Sequence, residues 1–479
     1  MKFILIILLL VVLLLLIAII RTLLLEKKTT FYDFSNDEKR VDEYSNILSK
    51  MIQYESVSDP NNPQVEKFQK FHQVLQELFP LVFAQLEKID IDGNLLMKWK
   101  GSDSSIQPIV FTSHLDVVPA EGEWKYEPFS GTVAEGKVWG RGAADIKSNV
   151  FAFYQAVEEL LKQGYTPRCD VYLASSCTEE IGGDGASKIA YWFIERNIKP
   201  FVLTDEGGAI VTDPFPGVKG QFAAIGIFEK GYGDIKFYAK SNGGHSSSPS
   251  RHNPIARLAA FENYVETHVP FKVKFSPAVE AMFSSLAPYS NNFFLKVVMC
   301  NLWLFKPILK KVLPAISAEA AAMLQTTFVF TMQKGSDGYN VIPQEAYATA
   351  NLRYIPHENS KASNKKIIDI AKRFDVDAIV LKSKDSSKEI DLNCDAYKQT
   401  VDVIHKVFPG IGIMPYVVTG GTDSAYYSAC CDNCIRFCPI IYGDEQLKGM
   451  HGLNECVDQG CLPPAVDYFI ELVKAQENR

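Results

Sequence analysis

His114, Asp116, Asp145, Glu179, Glu180, Asp205 and His451 are the side chains of this sequence that could together hold metal and move a proton. Imidazole nitrogen and carboxylate oxygen are the donors that zinc and similar divalent ions accept, three or four at a time. Two imidazoles with several carboxylates suit a pair of ions. In hydrolytic sites such pairs sit about 3.5–4 Å apart, share a bridging carboxylate and stabilise both ends of the displacement. Glu179 and Glu180 are adjacent, so both cannot easily face one ion. One can ligate while its neighbour stays within reach of the attacking water as a general base. A carboxylate-rich, two-His set tolerates several metals and does not by itself choose zinc over cobalt or manganese. For the Pro108–Asp145 stretch alone, a polar loop over an α/β sheet is an equally good reading.

The elements that must position these groups alternate from Pro108 onward. Strands are predicted at Ile109–Thr112, Asp170–Ser175 and Phe201–Thr204, and helices at Ile146–Gln163 and Ala186–Arg196. This alternation argues for a doubly wound, mostly parallel α/β sheet. The strands end at His114, at Glu179 and Glu180, and at Asp205, and open α/β sheets place their sites at carboxyl ends of strands. A strand pair over Ile89–Lys100 turns at Asp92-Gly93, and a helix is expected over Asn61–Leu78. After about Glu389 the α/β pattern resumes, with a helix at Asp395–Val407, the turn Thr419–Asp423, a strand at Ile435–Tyr442, and His451–Glu455 before a last helix.

The middle of the chain reads differently. The order β-α-β-β-α-β over 230–386 predicts a ferredoxin-like module inserted between two parts of the catalytic domain, 51–229 and 387–479. Within it, Pro270–Leu324 is an extra segment rich in large apolar residues, among them Phe293, Phe294, Trp303 and Phe305. A helical hairpin packed on the module is the favoured reading, because apolar helix faces usually lie in a core. A wall for a long acyl chain, or a second membrane contact, is the alternative.

The chain has 479 residues, 47% of them hydrophobic and 22% charged, enough for two or three packed domains. A net charge of −7, with no basic stripe, gives no reason to expect nucleic acid. Phe3–Ile20 is an unbroken run of 18 apolar residues, close to the ~20 needed to cross a bilayer. No small-x-small cleavage site follows it, so residues 1–28 are expected to be an uncleaved single-pass anchor, with 29–50 as a linker. Basic residues flank both ends, so they decide little about orientation; a body outside the cytosol is the expectation. The ten cysteines include CCDNCIRFC near the end, where a second C-x2-C that would mark a zinc knuckle is missing. Buried thiols or one disulfide are expected there.

The motifs SHLDVVP (113–119), GRGAADIK (140–147), TEE (178–180), TDEGG (204–208), GGHSSSP (243–249), NVIP with NLR (340–343, 351–353), GGTDS (420–424) and HGLNE (451–455) occur in this order. Together they resemble the aminoacylase/carboxypeptidase family of co-catalytic di-zinc metallopeptidases, in the branch of carboxypeptidase S and the N-fatty-acyl-amino-acid synthase/hydrolase. The resemblance implies two Zn2+ per subunit. Asp145 would bridge them, His114 and Asp205 completing one ion, Glu180 and His451 the other. It implies Glu179 as general base and Asp116 as the group that orients His114 through its other ring nitrogen. It further implies His245 as oxyanion stabiliser, sometimes supplied by a partner subunit, and Arg353 and Asn340 as a substrate clamp. Gly420, Gly421 and Thr422 would offer backbone N–H groups to the same carboxylate. On the residues alone, His245 is as well a surface His in a turn, and Arg353 an exposed strand residue.

One departure is Ala425, where many relatives of this branch carry Arg after the equivalent of GGTDS. The expected activity is hydrolysis of the amide joining an acyl or aminoacyl group to an amino acid with a free carboxylate, by water activated between two zincs. The substrate is an N-acyl amino acid or short peptide, and a homodimer through the module is the expected assembly. A silent scaffold on the same fold, or a cytosolic aminopeptidase, are the rivals.

Overall fold

In the computed structural model, which describes residues 2–34, 37–62 and 64–479, Ile109 and Phe111 pack into one apolar layer and Val110 into another. Residue 1 of the leader, 35 and 36 of the expected linker, and 63 of the expected Asn61–Leu78 helix lie outside the described residues. Alternate side chains leave a strand on opposite faces, so a strand buried on both sides must be apolar throughout. The four residues of Ile109–Thr112 are all buried.

This strand lies inside a ten-stranded sheet. It runs parallel to Val171–Ser175 on one side and Val202–Asp205 on the other, and Cys434–Arg436 continues the parallel set. The hairpin Glu87–Ile91/Asn94–Trp99 extends one edge antiparallel, turning at Asp92 and Gly93, both at positive φ. Beyond Cys434–Arg436, Gln221–Glu229 joins antiparallel, then Ile210–Thr212 and Ile441–Tyr442. The expected doubly wound α/β sheet is thus present, with antiparallel strands around a parallel centre. Helices Ser148–Lys162 and Leu462–Lys474 cover one face, where Phe111 and Phe469 stack edge to face at 4.9 Å. Truncating a side chain as buried as Phe111 to Ala costs about 3–5 kcal/mol. Ile189 and Phe193 of the Gly185–Glu195 helix cover Val110, Tyr172 and Leu203 on the other face.

Two core strands carry no alternation to announce them. All nine residues of Gln221–Glu229 are buried, and Gly412–Val418 pairs parallel to it. The expected Ile435–Tyr442 strand is two short strands, Cys434–Arg436 and Ile441–Tyr442. Pro439, which lacks an N–H, falls between them. All ten cysteines are free thiols, seven of them buried.

Gly231–Lys240, Pro254–Thr267, Thr327–Lys334, Glu345–Tyr354, Ser360–Lys372 and Asp377–Lys384 follow in βαββαβ order. Their strands form a separate antiparallel sheet in which the module's second, third, first and fourth strands lie side by side: Thr327–Lys334, Glu345–Tyr354, Gly231–Lys240, Asp377–Lys384. Phe237, Phe261, Leu352 and Ile367 belong to its own core.

Two expectations are corrected. Only the start of the Pro270–Leu324 segment, where Phe271 enters the module core, packs on the module. Its helix Pro277–Leu286 buries Val279, Met282 and Leu286 in the core of the main sheet, so its apolar residues serve the catalytic body. Residues 29–50 are not a free linker either. Thr30 Oγ1 donates to Gln221 O at 2.6 Å and accepts from Gly412 N at 2.8 Å. The Glu38–Ile52 helix buries Tyr44, Leu48, Met51 and Ile52, an apolar face at helical spacing.

His72, in the Val65–Leu78 helix, is 1% exposed; among the described residues neither ring nitrogen has a hydrogen-bond partner, and Asp90 Oδ2 lies 3.7 Å from Nδ1. Burial and the Lys88 charge, opposed by Asp90, push its pKa down to about 4 from 6.5. The unfolded chain therefore takes up this proton first. Stability is retained above about 6.5 and falls as pH drops from there to about 4, by about 3 kcal/mol in all. His72→Leu is expected to remove this component. Urea midpoints at pH 7 and pH 5 should differ less in the variant than in the parent chain.

Candidate functional site

Three strand ends and two loops converge at the carboxyl edge of the parallel strands. The Ile109–Thr112 strand delivers His114, which is buried. Its Nδ1 lies 2.8 Å from the backbone oxygen of Asp116. The proton on that nitrogen is therefore held by a main-chain carbonyl, which leaves Nε2 free to act as a donor atom. Nε2 lies 3.2 Å from Asp145 Oδ1 and 3.5 Å from Glu206 Oε1.

Asp116 meets the expected ring nitrogen of His114 through its backbone oxygen rather than its carboxylate. Its carboxylate is 3.6 Å from His114 Nδ1, beyond hydrogen-bond range. Instead its two oxygens accept from the backbone N–H groups of Glu179 and Glu180, both at 3.1 Å, and Oδ2 also accepts from Ser58 Oγ at 2.7 Å. It orients the two glutamates through their main chain and His114 through its own carbonyl.

Asp145 sits on a loop fixed from the far end of the chain. Glu455, fully buried, accepts from Arg141 Nη1 at 2.7 Å and Gly142 N at 3.0 Å on one oxygen. Its other oxygen accepts from Ala144 N at 2.8 Å and Asp145 N at 2.9 Å. Tyr442 adds a hydroxyl donated to Ala144 O at 2.7 Å. Held this way, Asp145 presents Oδ1 to His114 and Oδ2 to His451, the latter at 2.9 Å. His451 Nε2 also lies 3.1 Å from Glu180 Oε2. The residue at 451 has a left-handed φ of 55°, flanked by Gly452.

Asp205 does not join this cluster. It is buried, and its Oδ2 accepts from Ser424 N at 2.7 Å, behind the strand end. Its neighbour Glu206 faces His114 instead. The ligating atoms of His114, Asp145 and Glu180 lie within 4.8 Å of one another, and so do those of His114, Glu179 and Glu206. The two triads overlap at His114, and each is a set that could hold a metal ion. Glu180 Oε1 is buried with no hydrogen-bond partner among the described residues, as a ligating oxygen would be; Asp205 Oδ1 is unpaired too but lies outside both triads. Charge crowding says the same. Burial, then the Glu206 charge, pushes the Glu179 carboxyl up to about 10. Burial, opposed by His114 and reinforced by Asp145, pushes Glu206 up to about 8. Hydrogen bonds to Asp145 and Glu180 raise His451 to about 10. Divalent cations would neutralise these carboxylates without protons.

The cluster lies between two cavities of opposite character. One, of about 590 Å³, is lined by Glu179, Glu206 and His451 and then by Val211, Phe215, Met414 and Tyr416. The other, of about 720 Å³, runs from Glu179 and Glu180 to Arg353, Lys382 and Lys384 on the module. Arg353 and Lys384 are both paired with Tyr232 in the module sheet, so they lie in one row. Gly420 and Gly421 line the first cavity, and a Cβ at either would meet nothing within 4 Å. Thr422 is committed to the scaffold. Its N–H and hydroxyl both donate to Glu229, which pairs with the buried Arg436 at 3.0 Å. His245 and Asn340 are exposed, on a two-stranded hairpin of the module, and line neither cavity.

Glu206, Glu455, Lys382 and Lys384 were not among the sequence candidates. Glu206 and Glu455 stand inside the motifs TDEGG and HGLNE, and their acidic side chains were the available signal. Nothing local marks the two lysines.

Residues 110–475 match the profile of Peptidase family M20/M25/M40. A probable carboxypeptidase S-like 2 of Dictyostelium discoideum is 32% identical over 91% of this chain and 85% of its own length. An N-fatty-acyl-amino acid synthase/hydrolase of Xenopus tropicalis is 32% identical over 91% of this chain and 86% of its own length. Among solved structures, a metallo-carboxypeptidase from Sulfolobus solfataricus superposes with a TM-score of 0.66 at 17% identity, covering 91% of this chain and all of that one.

Glu206→Gln is expected to lower bound divalent metal by roughly one ion per chain, since it removes an oxygen that only a cation would need. Asp205→Asn is expected to keep the metal and lower the melting temperature. Metal analysis with thermal unfolding of both variants separates the two residues, and equal metal loss in both would count against this assignment.

Proposed function

The chain belongs to the peptidase family M20/M25/M40 and is a metal-dependent hydrolase; we propose that it cleaves the amide bond of N-acyl amino acids with a free carboxylate. The observation that carries this reading is the metal-type cluster set between an apolar cavity and a polar one whose far side carries Arg353, Lys382 and Lys384. An acyl chain matches the walls of Val211, Phe215 and Met414. A carboxylate matches Arg353 and the lysines beside it, and a guanidinium can hold it bidentately. The scissile amide then lies over Glu179, which lines both cavities.

His114, Asp145, Glu180, Glu206 and His451 would hold two ions; zinc is among the several divalent metals that this His and carboxylate set accepts. Bound there, the ions would polarise the carbonyl and acidify water. Glu179 takes the proton from the attacking water and delivers it to the leaving nitrogen. The C–N bond breaks, and a carboxylate and an amine leave. Asp116 keeps Glu179 in place by its grip on the Glu179 N–H. Gly420 and Gly421 leave the cavity wall open to the approach of substrate.

His245 and Asn340 would reach the substrate when the module closes over it, or across a homodimer formed by the module's exposed edge. Lys2–Leu24, a 23-residue apolar helix about 35 Å long, would be a single-pass anchor holding the body outside the cytosol.

Glu179→Ala is expected to keep its metal and lose about 10²–10⁴-fold in kcat. Near-normal turnover would remove Glu179 as the base. A panel of long-chain N-acyl amino acids and blocked dipeptides tests the substrate class. The acyl compounds should show the higher kcat/KM, and Arg353→Ala should raise KM for both. Preference for the dipeptides would favour a short-peptide carboxypeptidase, and a chain that binds metal but turns over neither set would favour a scaffold.

A further inference from the structure

The helices Phe293–Cys300 and Leu302–Ile316 expose large apolar side chains that no part of the chain covers among the described residues. Phe294 is 80% exposed, Ile316 70%, Ile308 60% and Trp303 45%. Ile308, Val312 and Ile316 recur every four residues, so they form one stripe along the second helix. Leu302, Leu309 and Leu313 face the protein core instead. Lys310 and Lys311 are exposed on the same helix. A surface helix with an apolar stripe, lysines beside it and a tryptophan at its start has the composition of one that lies in a bilayer interface.

The position of this face supports the same partner. Asn301, fully buried between the two helices, donates from Nδ2 to Ala18 O at 3.0 Å and Thr22 Oγ1 at 3.2 Å near the end of the leader helix. Its Oδ1 accepts from Trp303 Nε1 at 3.2 Å. Lys296 Nζ donates to Leu25 O at 3.0 Å. The exposed face is thus continuous with an apolar helix of membrane-spanning length, at the end where that helix meets the body.

We propose that the Phe293–Cys300 and Leu302–Ile316 helices form a second membrane contact, lying in the headgroup boundary beside the leader with Ile308, Val312 and Ile316 in the acyl region and Trp303, on the helix's other flank, at the headgroup level. The lysines stay at the headgroup level, where their stems cover apolar surface and their charges remain in water. This contact also orients the site. The cavity wall that ends at Phe215 continues to Gly217, whose carbonyl accepts from Asn291 N at 2.8 Å at the base of the first helix. The apolar cavity therefore stands close to the lipid-facing side of the body, where a membrane-dissolved acyl chain is found.

The test uses the full chain in phosphatidylcholine vesicles, with and without lipid brominated on the acyl chain. The chain has five tryptophans, and Trp303 is the one that these two helices carry. Brominated lipid should quench the wild type, and Trp303→Phe should lose most of that quenching. A triple variant, Ile308→Asp/Val312→Asp/Ile316→Asp, alters exposed positions only and should shift Trp303 emission to the red and reduce its quenching. Equal quenching in wild type and Trp303→Phe would overturn the proposal. So would a Trp303 blue shift that follows protein density at fixed lipid, which would identify a second copy of the chain as the occupant. The placement beside the leader rests on reading Lys2–Leu24 as a span. Carbonate extraction tests that span separately, and none of these readouts requires turnover.

Discussion

The site depends on one buried carboxylate. Glu455 accepts four hydrogen bonds, one from the Arg141 side chain and three from backbone N–H groups between Gly142 and Asp145. Burial alone would favour the neutral acid, and four donors are what let it serve as an acceptor at both oxygens. Arg141, 3% exposed, has its charge met there, and its Nη2 donates to Gly452 O at 2.9 Å and Pro119 O at 3.4 Å, while Nε has no partner among the described residues. The arrangement joins residues more than three hundred positions apart, so the loop carrying Asp145 cannot take its shape before the C-terminal part of the chain has docked. Asp145 is the group that touches both imidazoles, and its placement decides whether two cations can share one carboxylate.

A second support lies behind the strand ends. Asp116 fixes Glu179 and Glu180 by their main chains, which leaves both side chains free for chemistry. Glu229, Arg436 and Thr422 do the same for the glycine turn that closes the apolar cavity. Glu179, Glu180 and Asp145 are thereby each fixed by a hydrogen bond at the backbone N–H. The negative charge gathered at the centre has its complement in the module's row of Arg353 and Lys384, across a cavity rather than in direct contact.

The apolar side of the molecule is organised with the same economy. The 270–324 segment serves the core with one helix and turns outward with the next two. Asn301 ties those outward helices to the leader, and the 217–218 stretch ties their base to the cavity wall. Leader, exposed helices and cavity thus form one continuous apolar flank, while the module with its lysines stands over the opposite, polar side of the cluster.

Much of this was legible in the residues. Alternating strand and helix patterns located the parallel strands, and the ends of those strands carried His114 and the glutamate pair. The helices at Pro254–Thr267 and Asp395–Val407 begin and end where the caps and apolar spacing place them. The strands Gln221–Glu229 and Gly412–Val418 were illegible because a strand buried on both faces shows no period. The direction of neighbouring acids was illegible too. Asp205 and Glu206 differ by one position at a strand end, and a single step along a strand reverses the face. Local sequence therefore determined that acids and imidazoles gather at one edge of a sheet. Only the packed structure decided that Glu206 turns toward His114 while Asp205 turns back to Ser424, because that choice is made by the strand beside them and not by the residues themselves.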